Sequence, residues 1–141
     1  MKTYSKYLAG VVLACTLGAY SHITVATESP EGAQVYIISP NNGETVPSTF
    51  TVKFGLQGMG IAPAGIDKAK TGHHHLLVNA KSLPPFDQPM GSDVKHFGGG
   101  QTETTLTLPP GNHKLQLILG DKNHIPHNPP VVSEVVKVIV K

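Results

Sequence analysis

Three consecutive histidines, His73, His74 and His75, run directly into the apolar stretch Leu76-Leu77-Val78. In an extended strand, alternate side chains share a face, so His73 and His75 project together and His74 goes with Leu76 and Val78. Imidazole is the commonest protein ligand for zinc, copper and nickel. Four further potential ligands lie downstream: His96, Asp121, His124 and His127. The run His124-Ile125-Pro126-His127 is stiffened by Pro126, Pro129 and Pro130, which lowers the entropy lost on closing a site. Asp121 would serve either as a ligand or as an acceptor that orients an imidazole. His73, His75, His96, Asp121, His124 and His127 are therefore the candidate metal ligands. Copper or zinc is the expected ion, because imidazole and carboxylate donors suit both.

The rest of the composition narrows the chemistry. The single cysteine, Cys15, lies in the N-terminal apolar run, so thiolate metal sites and thiol catalysis are excluded if that run is removed. Met59 and Met90 are the soft donors left. Neither a nucleophile–base pair nor paired carboxylates can be found, which favours a binder or carrier over a catalyst. A mononuclear copper redox enzyme would need an open coordination position and a substrate pocket. Net charge is only +2 and arginine is absent; without its planar fork or a basic stripe there is no case for nucleic acid. The competing reading is an exported interaction module that meets a protein or glycan in the cell envelope. In that reading the histidines bond backbone carbonyls and only shape loops. His74, on the Leu76 face, is expected to be a satisfied core residue, and His113 a structural one. Phe97-Gly98-Gly99-Gly100 reads as a tight turn with an anchoring ring, since no helix follows to cradle a phosphate.

The elements that must position these side chains follow from the pattern. Lys2 and Lys6 precede a run from Leu8 to Ala19, about a dozen apolar residues and short for a bilayer span. Residues 1–26 thus read as an export signal, with cleavage after Ala26, or alternatively after Ser21, which would leave His22 as an N-terminal copper chelator. Val12-Leu13-Ala14-Cys15 is a loose lipoprotein box, so membrane attachment is expected only if Cys15 is lipidated. A periplasmic or secreted location follows. Residues 27–34 read as a flexible leader and 35–141 as one domain.

High Gly (15) and Pro (12) with no Trp favours short strands and frequent turns. Strands are expected at 35–38, 49–56, 73–80, 102–108, 113–119 and 131–140. Phe50, Val52, Phe54 and Leu56 alternate with polar residues, as do Leu115, Leu117 and Leu119. A further irregular strand is expected within 81–95. Asn79 suggests that the His73/His75 face is the wetter one. About seven strands with long second-to-third (B–C) and sixth-to-seventh (F–G) loops predict an all-β, immunoglobulin-like antiparallel β-sandwich. In that topology His73–His75, His96, His124 and His127 gather at one end and His113 lies at the other, provided that 81–95 carries the chain back across the domain.

Several stretches resemble one family together: Phe-Gly-Leu-Gln-Gly-Met-Gly-Ile-Ala-Pro-Ala-Gly (54–65), Gly-His-His-His-Leu-Leu-Val (72–78), His-Phe-Gly-Gly-Gly-Gln-Thr-Glu (96–103), Leu-Pro-Pro-Gly-Asn-His-Lys-Leu-Gln-Leu (108–117) and Gly-Asp-Lys-Asn-His-Ile-Pro-His-Asn-Pro-Pro-Val-Val-Ser (120–133). They are similar to the family filed as domain of unknown function 4399. The resemblance spans roughly residues 35–140 and implies a small exported bacterial domain. It supplies no activity.

Overall fold

The computed structural model describes residues 25–141; Cys15, His22 and the apolar run lie outside the described residues. Nine strands form, and no helix is found among the described residues: β1 (Gln34–Ser39), β2 (Glu44–Val46), β3 (Thr49–Gln57), β4 (Gly60–Ile61), β5 (Thr71–Val78), β6 (Lys95–His96), β7 (Glu103–Thr107), β8 (Gly111–Gly120) and β9 (Val136–Val140). One sheet has the order β1-β3-β7; the other runs β2-β9-β8-β5-β4, with β6 also paired to β5. Equating β1, β3 and β7 with strands A, B and E, and β5, β8 and β9 with C, F and G, gives the immunoglobulin-like sandwich.

Alternation builds the layer between the sheets. Phe50, Val52 and Phe54 of β3 are buried, while Thr51 and Lys53 are exposed. They meet Leu76 of β5, Leu115, Leu117 and Leu119 of β8 and Val138 and Val140 of β9 in one core. Each such side chain contributes about 1.5–3 kcal/mol through loss of apolar surface from water.

Three departures from the pattern matter for the site. The expected fourth sandwich strand does not form: residues 79–94 fold over the outside of β5 and β8, then return along the β5 edge as β6. Leu77, Val94 and Ile118 make a second small core there, with Met90 and Val132 packed against it. The face of β5 expected to be wet is consequently buried, and β5 is shielded on both sides from Gly72 to Leu77.

The last strand is also shorter than its apolar run. Ser133 Oγ accepts the Leu117 amide at 2.8 Å and donates to Glu134 O at 2.7 Å, a side chain taking over where a ladder bond would fall. Pairing with β8 resumes beyond it at an isolated Ile118–Val132 bridge.

Finally, the leader is bonded to the 121–129 loop. Asn128 N donates to Thr27 O at 3.0 Å, and Ser29 N donates to Asn128 O at 3.1 Å.

Candidate metal centre

Register assembles the histidines. His73 and His75 stand two apart on β5, with Gly120 and Ile118 as their partners on β8. On the opposite edge, His75 pairs with His96 of β6. The chain leaving β8 at Gly120 turns back at once: Asp121 N donates to Ile125 O at 2.8 Å, and His124 N donates to Asp121 O at 2.9 Å. His124, at φ 65°, sits at the tip of this loop. That left-handed conformation is uncommon for a residue with a Cβ, and it is braced by Met90 N donating to His124 O at 2.9 Å.

The result is a four-imidazole cluster. One ring nitrogen from each of His73, His75, His96 and His124 lies within 4.8 Å of the other three. His73 Nε2 is 3.3 Å from His124 Nδ1. The ring centroids of His73 and His75 are 4.7 Å apart, and those of His96 and His124 are 4.3 Å apart. His73 and His75 are fully buried, His124 is half-buried and His96 is exposed. Two donors therefore stand on a rigid strand, and two come from the solvent side.

Glycines make the room. A Cβ at Gly120 would lie 2.6 Å from His75 Cε1 and 2.9 Å from the Met90 methyl carbon, and one at Gly98 would lie 2.6 Å from His96 Nε2. Neither glycine was singled out from the sequence for this. The signal was present in the register: glycine in β8 faces the first histidine of β5, and glycine follows His96 by two.

The electrostatics keep the buried pair on β5 neutral. Burial holds His73 down to about 4, helped by His124 and His96 nearby. Burial, with His73, His96 and His124 adding to it, holds His75 down to about 3. His96 is lowered as well, by its partial burial and by His124. Neutral imidazoles expose lone pairs at pH 7, so protons compete weakly for them.

Hydrogen bonding leaves a gap in the same place. Nδ1 of His73 and Nδ1 of His75 are buried without a partner, a situation that costs about 1–3 kcal/mol per group. Buried polar atoms left this way are uncommon and call for an explanation such as an ion.

The spacing of the cluster can be set against that of a bound ion. Imidazole–metal bonds of about 2.0–2.1 Å place neighbouring nitrogens about 3.3–3.4 Å apart around a tetrahedral ion. The His73–His124 separation is already of that size. The four histidines are close enough to hold a metal ion.

The other two ligand candidates are placed elsewhere. His127 is buried, and its ring nitrogens face Leu119 O at 3.4 Å and Thr71 O at 3.2 Å. The Asp121 carboxylate is filled by main-chain and hydroxyl donors: Asn123 N and Ile125 N on Oδ1, Thr27 N and Thr27 Oγ1 on Oδ2. Both residues shape the loop that presents His124 instead of joining the cluster. The reason is local: a residue that opens a tight loop meets that loop's own amides first.

His113 lies at the far end of β8, where Pro109 O accepts from Nε2 at 2.8 Å and Asn79 Nδ2 donates to Nδ1 at 2.9 Å. His74 points inward against Phe54, with Nδ1 3.4 Å from Gln101 O. Its Nε2 has no partner, so it is a core residue only partly satisfied. Of the soft donors, Met59 packs against the main core and Met90 against the outer one.

Fold and site together define an immunoglobulin-like β-sandwich with a histidine cluster at one pole. A family model, Domain of unknown function (DUF4399), matches residues 52–141, and the chain belongs to that family. A search of curated proteins gives no match. Among solved structures, Clostridium thermocellum CbhA fibronectin(III)-like modules are similar, with a TM-score of 0.44 and 14% identity, over 77% of this chain and 96% of that one.

Proposed function

We propose that the protein is an exported metal binder or carrier, in which His73, His75, His96 and His124 hold one copper or zinc ion. The observation that carries this is the convergence of four imidazoles, one ring nitrogen of each within 4.8 Å of the others, with the two on β5 buried and held neutral. Burying His75 with Nδ1 unpartnered is a cost that a metal bond would offset.

Solvent-side placement of His96 and His124 suits loading and release. An ion can enter between these two and then meet the fixed pair on β5. The donor set is all nitrogen, which both Cu(II) and Zn(II) accept.

The interaction-module reading makes a different demand on the histidines, namely ring nitrogens bonded to backbone carbonyls. His74, His113 and His127 meet it. The four clustered residues face one another instead, which favours the metal.

X-ray absorption on the metal-loaded, exported protein tests the coordination. Four nitrogen scatterers at about 2.0 Å with imidazole multiple scattering are expected. A shell of oxygen scatterers without imidazole would contradict the assignment.

A further inference from the structure

The Asp121 carboxylate is 1% exposed, yet no Lys or His side chain among the described residues lies within 4.0 Å of it; the ion pair found joins Lys122 to Asp67. Buried carboxylates ordinarily have a cationic partner, because an unpaired charge in a low dielectric is costly. What Asp121 Oδ2 does have is the main-chain nitrogen of Thr27 at 3.1 Å and its hydroxyl at 2.9 Å. Thr27 is held from its other side by Asn128 N. Two residues further back, the chain is leaving the fold: Val25 is 76% exposed.

Thr27 is also the residue after Ala26, where the small residues Thr24 and Ala26 mark an export cleavage. We infer that hydrolysis of the Ala26–Thr27 bond completes the fold by creating the missing cation, the Thr27 α-ammonium, at Asp121. Water supplies hydroxyl to the Ala26 carbonyl carbon as the C–N bond breaks. The Thr27 nitrogen takes up the remaining hydrogen and a solvent proton to become the ammonium. The export peptidase is the only other participant. A neutral amide donor to Asp121 becomes a charged one, and charge-assisted hydrogen bonds are about twice as strong as neutral ones.

The consequence reaches the cluster. Oδ1 of the same carboxylate accepts Asn123 N at 2.8 Å and Ile125 N at 3.1 Å, the two amides that flank His124. Anchoring Asp121 from Oδ2 therefore fixes the loop that carries His124. Processing and assembly of this pole become one event: the precursor has the looser loop and the mature chain the locked one. The inference rests on the exported reading and is independent of any metal.

The test uses the full chain, exported by a bacterial host, purified and kept metal-free. Intact mass gives its first residue, expected to be Thr27. Selective acetylation of the α-amine should then lower Tm by about 5 °C, the size expected from losing one charge-assisted bond. Asp121→Asn should start lower and be insensitive to acetylation. A single glycine inserted after Ala26 moves the ammonium out by one residue without touching Asp121, and its Tm should match that of the acetylated protein. A mature chain that begins elsewhere, or an acetylated or glycine-inserted protein as stable as the wild type, would overturn the inference. So would an equal loss on acetylating Asp121→Asn. A chain that is not exported at all would fail the exported reading as well, whereas cleavage elsewhere fails only this one.

Discussion

His75 and His96 are register partners across the β5–β6 edge, and their rings stack with centroids 5.0 Å apart and planes 26° apart. A two-residue strand thus places a solvent-side donor over a buried one. Backbone pairing, not loop flexibility, sets that half of the cluster.

If His75 is held for a metal, it is a liability without one. His75→Leu removes the unpartnered Nδ1 and keeps an apolar filling of similar size. Metal-free stability should be unchanged or up by about 1 kcal/mol, while metal binding is lost. Urea melts with and without metal check both halves. A destabilisation of about 2 kcal/mol or more in the metal-free protein would instead mark His75 as a structural staple.

His127 should behave the opposite way. Its ring bridges the Leu119 and Thr71 carbonyls in a buried position. His127→Ala should cost about 2–4 kcal/mol through the cavity and the stranded carbonyls. Metal stoichiometry, measured at a temperature where the variant is folded, should stay at one. Denaturant melts and metal analysis read the two separately.

Acid should weaken the metal-free protein in a defined window. His73 and His75 have folded values of about 4 and about 3, below the ordinary 6.5. Between those limits the unfolded chain binds more protons, so stability rises with pH. The contribution is fully present above pH 6.5 and is lost as pH falls through 4 toward 3. Melts across pH 7 to 3 should show this slope, and His73→Leu/His75→Leu should flatten it.

Gly120→Ala tests the room left for the rings. A Cβ there would meet His75 Cε1 and the Met90 methyl carbon, which overpacks a buried site at a cost of about 1–3 kcal/mol. Metal affinity should fall with it. Gly60→Ala, where a Cβ meets Thr71 Cγ2 at an ordinary 3.5 Å, is the matched control and should change little. Thermal melts and metal titration of the two variants make the comparison.

The sandwich was legible in the alternation of β3 and β8, because inward and outward residues must differ when one face is buried. The His73/His75 pairing was legible for the same period-two reason. The topology of the sandwich gathered His96 and His124 to the same pole before any contact was known. What stayed hidden depends on tertiary pairing. Residues 79–94 have no periodicity, so nothing in them says that they cover β5 and bury His73 and His75. His127 and Asp121 have ligand chemistry, but nearby amides and carbonyls claimed them first. Polar residues 27–30 look like a leader, and only the Asn128 and Asp121 contacts give them a place in the fold.

Calorimetric titration of the metal-free exported protein with Cu(II) and with Zn(II), beside His73→Ala/His75→Ala/His124→Ala, tests the central claim most directly. One ion per chain is expected, with Kd below about 1 μM for at least one of the two metals, and no measurable uptake by the variant. Absence of binding by the wild type, or equal binding by the variant, would contradict it.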